Sequence, residues 1–368
     1  MSLPAIKAKA AALKDGFADA GAQPVDCPVL LSAETLLDLY GEDIRTRAYV
    51  THDPVRGEVM LRPDFTVPVV QMHMAAGADP ARYTYAGEVF RRQETHPERA
   101  SEYHQVGYEV FDRAAPASAD AEVFSRFADV LAPYGLRASV GDIGILIAAV
   151  EGLETTAARR AALMRHIWRP RRFRSLLDRY AGRISVPPTR AALLHSKDAM
   201  ADAGPVIGLR GTDEIAARIA ALRSDAAEPP LSGDQVDLLE ALVRVSETCV
   251  HALEQLRDIA VDLPAIAGAV ERFAARCEAL DARGVNLERL EFDANFGRSS
   301  MEYYDGFVFG FSSQAHPDWP LVASGGRYDA LTRQLGQGRE IPAVGGVIRP
   351  GLLVDLDALN RRGSGAMA

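Results

Sequence analysis

The segment from Arg82 to Phe111, RYTYAGEVFRRQETHPERASEYHQVGYEVF, constrains the fold of this chain more than any other. It predicts two β-strands joined by a polar loop, which is typical of an antiparallel sheet. Side chains two residues apart on a strand share one face. One face of the first strand therefore carries Tyr83, Tyr85, Gly87, Val89 and Arg91, and one face of the second carries Tyr103, Gln105, Gly107 and Glu109.

These faces have the side chains that a small polar ligand needs. Arg91 can bind a carboxylate through two parallel hydrogen bonds, and Glu109 with Gln105 can accept from an ammonium or a ring N–H. Gly87 and Gly107 leave space for a ligand against the backbone. The alternative interpretation is a solvated sheet face with surface ion pairs.

Composition excludes several classes of protein. A formal net charge of −9 over 368 residues argues against an overall nucleic-acid-binding surface. Cys27, Cys249 and Cys277 have neither metal-ligand spacing nor a disulfide framework, and no run of about 18 apolar residues suggests a membrane span. The sequence therefore predicts a cytoplasmic protein without metal, cofactor or membrane partner.

The periodicity changes twice along the chain. Residues 1–150 mix short alternating segments with Gly and Pro, which predicts an α+β domain with a mainly antiparallel sheet. Residues 151–285 have helical periodicity, and strand character returns over 286–360. The simplest arrangement is one sheet domain split by a helical insertion, followed by a loose tail over 361–368.

Two further segments carry polar side chains of the right type. LRPDFT places Asp64 and Thr66 on one predicted strand face, where an acid and a hydroxyl suit an ammonium group. A strand end with a turn-favouring Pro-Asp is the alternative. Tyr303 and Tyr304 lead into the strand FVFGF, although buried tyrosines usually serve packing.

Three segments in the rest of the chain have a more ambiguous pattern. Ser324 to Asp329 predicts a Gly-Gly turn followed by Arg327 and Tyr328, either an anion site or only a turn. The run from Ile341 predicts a buried strand and then a helix break at Pro350. The arginines between Arg165 and Arg179 can bind phosphates, but a solvated helical face is the simpler interpretation.

In this order, LRPDFT, the Phe90–Glu109 block, EYYDG and SGGRYDAL resemble the catalytic core of histidyl-tRNA synthetase, a class II aminoacyl-tRNA synthetase. The resemblance covers nearly the whole chain except the insertion. It implies an antiparallel sheet flanked by helices, and a dimer with Pro28 in the dimer-forming motif. It also implies a histidine pocket made by Asp64, Thr66, Arg91, Gln105, Glu109, Tyr303, Tyr304, Arg327 and Tyr328.

The departures from the synthetases concern the chemistry with ATP. Ser299 to Glu302 stand where the synthetases have Arg-Gly-Leu-Asp, and Leu352 stands where the third motif has its arginine. Gln93 replaces the acid after the motif-two arginine, and Asp64 replaces a Glu. Loss of a positive charge beside a reacting phosphate removes transition-state stabilisation. The chain also ends where a synthetase begins its anticodon-binding domain, so tRNA is not expected as a partner.

This combination resembles the family of ATP phosphoribosyltransferase regulatory subunits, synthetase paralogues without catalytic residues of their own. The resemblance implies a short-form catalytic subunit as partner, activation of that partner, and feedback inhibition by histidine. It also implies a regulatory-subunit dimer within a hetero-octamer. The alternatives are an active histidyl-tRNA synthetase and a histidine-dependent sensor of another partner.

Overall fold

The computed structural model describes residues 2–40, 44–93, 99–201, 204–205, 207–298 and 303–365, with side chains described as far as Arg361. The run Ser299 to Glu302, to which the sequence assigns a lost catalytic arginine, lies outside the described residues.

The centre of the molecule is a nine-stranded sheet. Its order across the sheet is β1 (Gln23–Pro24), β5 (Ala81–Phe90), β6 (Glu102–Phe111), β12 (Ala343–Ile348), β11 (Ala323–Arg327), β10 (Phe307–Ser312), β7 (Arg137–Asp142), β9 (Glu291–Asp293) and β8 (Ser246–Thr248). Only the β1–β5 and β7–β9 pairs are parallel among these. A second sheet has the order β2 (Leu30–Ser32), β4 (Gly57–Leu61) and β3 (Val50–Asp53). The predicted α+β class with a mainly antiparallel sheet is confirmed.

Helices pack around this sheet. Those in the first part of the chain are α1 (Leu3–Asp19), α2 (Ala33–Tyr40), α3 (Ile44–Arg47), α4 (Thr66–Ala76), α5 (Pro116–Leu131) and α6 (Ile143–Glu151). The middle part holds α7 (Ala157–Arg165), α8 (Pro170–Tyr180), α9 (Pro188–His195), α10 (Thr212–Ala227), α11 (Gly233–Arg244), α12 (Cys249–Asp262) and α13 (Ala267–Asp281). The last part has α14 (Asp329–Leu335) and α15 (Pro350–Gly365). Short 3₁₀ turns follow α5 and α12. None of the described helices is both long enough and apolar enough to cross a membrane.

The main core lies between the sheet and α5. The apolar residues of α5 face this core, with Phe124 and Phe127 buried in it. The ring of Phe127 contacts Phe309 of β10 edge to face, at 5.4 Å between centroids. Such aromatic pairs bury large apolar areas. This core covers one face of the sheet, and α4 and the polar residues described below lie on the opposite face.

Three predictions about local structure are wrong. Thr66 begins α4 and does not share a strand face with Asp64, and Pro68 falls in the first helical turn, where proline is tolerated. The Gly325-Gly326 pair lies inside β11 and not in a turn. A Cβ on Gly325 would lie 2.3 Å from the carbonyl oxygen of Gly345, so these glycines allow close strand approach.

Pro350 begins α15 and does not break a helix, since proline suits the first helical position. This helix continues to Gly365, into the segment expected to be a loose tail. The middle part of the chain is also not entirely helical: β8 lies between α11 and α12 and joins the edge of the main sheet through β9. The position of the insertion boundaries stays a prediction.

Candidate functional site

The candidate site is built around the carboxylate of Glu109 on β6. This strand lies between β5 and β12, and Glu109 is opposite Tyr83 on one side and Gly345 on the other. The Glu109 side chain is buried, with 1% exposed. A Cβ on Gly345 would lie 1.4 Å from Oε2 of Glu109. The glycine is therefore needed for the acid to occupy this position.

Hydroxyl groups surround this carboxylate. Tyr85 Oη donates to Oε1 at 2.7 Å, and Tyr328 Oη donates to Oε2 at 2.5 Å. Thr66 Oγ1 lies 3.5 Å from Oε1. Hydrogen bonds to an ionised acceptor are shorter and stronger than those between neutral groups. The arrangement therefore holds the carboxylate in one orientation at the base of the site.

The pKa of Glu109 is raised to about 7 from an ordinary value of 4.5, chiefly because the carboxyl is buried. The hydrogen bonds from Tyr328 and Tyr85 act in the opposite direction, and the nearby acid Asp64 raises the pKa further. The carboxyl therefore titrates near neutral pH. A cationic group placed next to it would favour the ionised form.

Asp64 and Arg91 form the second part of the site. Asp64 lies in the turn between β4 and α4, so the turn alternative for Pro63-Asp64 is the one the backbone adopts. Burial raises the pKa of Asp64, and the positive charge of Arg91 opposes that shift. Arg91 follows β5, and its Nε donates to the carbonyl oxygen of Pro63 at 2.7 Å. The structure therefore brings these two charges together.

Gln105 shares the β6 face of Glu109, opposite Gly87 of β5. The side chain is buried, and its Oε1 has no hydrogen-bond partner in the described part of the chain. A buried polar atom without a partner costs roughly 1–3 kcal/mol. This oxygen can accept from a ligand N–H, as the sequence predicts for Gln105.

Three tyrosines close the site. The ring centroids of Tyr303 and Tyr304 lie 4.6 Å apart, and those of Tyr303 and Tyr328 lie 6.3 Å apart. Burial raises the pKa of all three phenols, so they remain protonated donors at neutral pH. The structure thus brings the predicted tyrosines to Glu109.

Arg327 is the predicted site residue that the structure does not bring to the others. Its Nη2 donates to Asp120 Oδ1 at 2.6 Å and to the carbonyl oxygen of Pro116 at 2.8 Å, while Nη1 donates to Asp329. Asp120 also binds Arg276 of α13. The guanidinium is therefore part of a buried ion network beside the site.

Gly87 and Gly107 of the β5–β6 pair leave space for side chains of the protein itself, and not for a ligand as predicted. A Cβ on Gly107 would lie 2.0 Å from the ring of Tyr85, and one on Gly87 would lie 2.7 Å from the guanidinium of Arg62. The protein's own side chains therefore occupy these spaces, and a ligand does not lie against the backbone there. The reason is that Tyr85 must lie flat across β6 to reach Glu109.

Two residues of the site were not predicted as such. Tyr85 belongs to the predicted strand face, but only its hydrogen bond to Glu109 reveals its role. Gly345 is one of two glycines in β12. The alternation of side chains along that strand is the sequence feature that could have indicated its role. Leu352, in place of the synthetase arginine, lies in α15 and packs partly buried against the main core.

Two surface cavities lie away from this site. One, of about 320 Å³, lies between the end of α4 and the loop before β12. The other, of about 710 Å³, lies between α5 and the loop after α13. None of the candidate site residues lines either cavity. Among the described residues no group of three or more His, Cys, Asp or Glu is arranged to hold a metal ion.

Comparison with known proteins gives concordant results. A sequence model of the family described as histidyl-tRNA synthetase matches residues 3–206 and 215–351. An ATP phosphoribosyltransferase regulatory subunit from Allorhizobium ampelinum is 32% identical over 365 residues, which cover 91% of this chain and 94% of the relative. One from Brucella anthropi is also 32% identical, over 88% of this chain and 90% of the relative.

Solved structures are similar in fold. An ATP phosphoribosyltransferase regulatory subunit/histidyl-tRNA synthetase from Bacillus halodurans has a TM-score of 0.65 at 20% identity, covering 95% of this chain and 78% of that one. A histidine–tRNA ligase subunit from Alicyclobacillus acidocaldarius has a TM-score of 0.58 at 24% identity, covering 97% and 94%. At these identities the likeness concerns the fold, which is the class II synthetase type predicted from the sequence.

Proposed function

The chain belongs to the family of ATP phosphoribosyltransferase regulatory subunits, and on that premise we propose that it binds histidine and controls a catalytic subunit of that enzyme. The partner is a short-form ATP phosphoribosyltransferase, which catalyses the first step of histidine biosynthesis. The regulatory chain activates this partner and transmits feedback inhibition by histidine.

The observation that carries the proposal is the buried acid Glu109, with its pKa raised to about 7, in the same site as the cation Arg91. Histidine carries an ammonium and an imidazole, which suit Glu109 and Asp64, and a carboxylate, which suits Arg91. The unpartnered Oε1 of Gln105 supplies a further acceptor for a ring N–H. These complementary groups favour histidine over amino acids with apolar side chains.

An ionised carboxylate has about four acceptor positions, and the hydroxyl groups of Tyr85, Tyr328 and Thr66 lie at three of those of Glu109. A ligand N–H either takes the remaining position or replaces one of these hydroxyl donors. A ligand shifts a conformational equilibrium only when it binds one state better than the other. The exchange of donors at Glu109 is the local step that we propose for this coupling.

We propose that the chain has no adenylation activity of its own. Leu352 contributes a partly buried apolar contact at the position of the synthetases' third-motif arginine, and Gln93 stands where the synthetases have an acid. An inhibitor site needs only the amino-acid pocket. Exchange of pyrophosphate into ATP in the presence of histidine, above the level of a no-protein control, would overturn this part of the proposal.

The assembly proposed is a dimer of regulatory chains within a cytoplasmic hetero-octamer. Apolar side chains at the second sheet support the dimer: Val29, Tyr49 and Val50 are each about 40% exposed. The carbonyl oxygens of Val29 and Tyr49 accept from Arg62 N and Leu61 N, so both residues flank the end of β4. Exposed apolar patches of this kind mark interaction surfaces.

The test of the function is to add the purified chain to a short-form ATP phosphoribosyltransferase and titrate histidine. We expect stimulation of the catalytic subunit without histidine and progressive inhibition with it. Absence of both stimulation and histidine sensitivity would refute the function. Copurification with tRNA or with an unrelated protein in place of the enzyme would also count against it.

The test of the site is calorimetric titration of histidine into single variants. Glu109→Ala and Arg91→Ala should each weaken binding by about 1.5–3 kcal/mol, because each leaves a charged ligand group unpaired. Arg92→Ala is the matched control, since Arg92 is the next arginine along the chain and is exposed. Unchanged affinity in both site variants would remove the pocket assignment.

A further inference from the structure

Arg298, in the segment that follows β9, is a buried arginine without a carboxylate partner among the described residues. Its side chain is 2% exposed. Its Nε donates to the carbonyl oxygen of Ile167 at 2.9 Å, and Nη1 donates to Asn295 Oδ1 at 2.7 Å. Nη2 is buried and has no partner in the described part of the chain. Burial lowers the pKa of the guanidinium to about 10.

Another buried arginine in the same protein has carboxylate partners. Arg276 is 4% exposed, and it binds one carboxylate oxygen of Asp120 and one of Asp142. A buried charge without a counter-charge is costly, by several kcal/mol even after relaxation. Arg276 thus has two carboxylate partners, whereas the contacts of Arg298 with described residues are neutral acceptors and the ring of Phe173, 5.1 Å away.

Further unsatisfied groups lie in the turn that Arg298 contacts. Ile167, whose carbonyl accepts from Arg298, is flanked by His166 and Trp168 in the turn between α7 and α8. His166 Nδ1 and Trp168 Nε1 are shielded from solvent and have no hydrogen-bond partner within the described residues. The indole N–H can only donate, as can the guanidinium. The indole N–H of Trp168 and Nη2 of Arg298 therefore each need a hydrogen-bond acceptor.

The arginines near this turn are positively charged, as Arg298 is. After burial, the causes that lower the pKa of His166 are the positive charges of Arg169, Arg172 and Arg165. A histidine so placed stays neutral at physiological pH, and an anion in this turn would meet several positive charges. A dianion offsets such a field better than a single carboxylate does, and arginine matches phosphate geometry well.

We propose that Arg298 Nη2 and the indole N–H of Trp168 bind an oxyanion of the phosphate class. The anion is either inorganic phosphate or the phosphate ester of a small metabolite. Its site connects α7 and α8 with the end of β9, and it shares no residue with the Glu109 site. The proposal therefore does not depend on histidine binding or on the regulatory function.

The test uses the fluorescence of Trp168 in the full chain. The sequence has two tryptophans, so a Trp319→Phe background leaves Trp168 as the only indole. Sodium phosphate and ribose 5-phosphate are titrated separately against sodium chloride at constant ionic strength. We expect a saturable change in emission with the phosphate compounds that chloride does not produce. Tighter binding of ribose 5-phosphate identifies an ester as ligand, and equal or weaker binding identifies the free anion.

Arg298→Met is the diagnostic variant, and it should weaken phosphate binding by about tenfold or more, as expected for loss of a hydrogen bond to a charged group. Arg289→Met is the matched control, because Arg289 is exposed and has no ion pair with a described residue. Circular dichroism verifies that each variant is folded. Should Arg298→Met not fold, Trp168→Phe provides the second variant, with the phosphate-induced rise in melting temperature as the readout.

Three results would overturn the proposal. The first is no saturable response to either compound up to about 10 mM, a concentration that detects even very weak binding. The second is a response of the same affinity in Arg298→Met. The third is an unchanged phosphate-induced rise in melting temperature in Trp168→Phe.

Discussion

Replacement of Glu109 by Gln should change how the stability of the protein depends on pH. The folded-state pKa of Glu109 is raised to about 7, above the ordinary value of 4.5 that applies to the unfolded chain. The folded state therefore holds the proton more tightly. The corresponding contribution to stability is fully present below about pH 4.5 and is lost as the pH rises through about 7.

The magnitude follows from the size of the shift. A difference of about 2.5 pKa units, at 1.36 kcal/mol per unit, corresponds to about 3 kcal/mol. Glutamine does not titrate, so this pH-dependent loss disappears in Glu109→Gln. Loss of the ionised acceptor for Tyr85 and Tyr328 adds an offset that does not vary with pH in the same way.

Urea unfolding followed by circular dichroism, at pH values between 4.5 and 8, measures the effect. The free energy of unfolding of Glu109→Gln minus that of the unaltered protein should rise by about 3 kcal/mol from the acid end to the alkaline end. A difference that stays constant across this range would refute the reasoning.

Glu122→Gln is the control with the opposite sign. Burial acts to raise the pKa of Glu122, but the hydrogen bonds from Arg82 and Tyr108 outweigh burial and hold the pKa below its ordinary value. Its stabilising contribution is therefore present above the ordinary pKa and is lost in acid. Between pH 4.5 and 8 the loss of stability in this variant should therefore stay nearly constant, and in measurements extended below pH 4.5 it should become smaller.

Three further results are expected. Arg327→Gln should lower the free energy of unfolding by about 3–5 kcal/mol, because it leaves Asp120 without one of its cations, yet histidine affinity measured by calorimetry should change little. Gly345→Ala should abolish histidine binding in the same assay, because its Cβ would lie 1.4 Å from Oε2 of Glu109. Tyr85→Phe removes a hydrogen bond that lowers the pKa of Glu109, so the pH dependence of histidine affinity, measured between pH 6 and 8, should shift to higher pH. An unchanged profile would contradict this role.

Much of the sheet and the site could be predicted from the sequence. Alternation places Gln105, Gly107 and Glu109 on one face of β6, and the β5–β6 register confirms that they meet the predicted face of β5. The strand pattern is strong here because the aromatic and apolar residues of these strands favour a pleated, buried surface. Family resemblance then related Asp64, Tyr304 and Tyr328 to the same site.

The errors arise where tertiary packing overrides a local signal. Gly325-Gly326 has the pattern of a turn, but the close approach of β10, β11 and β12 requires glycine inside a strand. Arg327 has the pattern of an anion-binding residue, but Asp120 lies more than two hundred positions earlier in the chain and binds it. No local pattern contains a contact at that separation.

The same ion network limits how the chain can be divided. Arg276 belongs to α13, in the segment that the sequence predicts as an insertion, yet it compensates Asp120 of α5 and Asp142 at the end of β7. A shortened protein in which residues 151–285 are exchanged for a linker would leave Asp142 without a cation, buried in the remaining core. The segment therefore cannot be removed as a unit, and an excision compatible with a folded sheet must end before α13. Transfer of the segment to another protein would require these two aspartates as well.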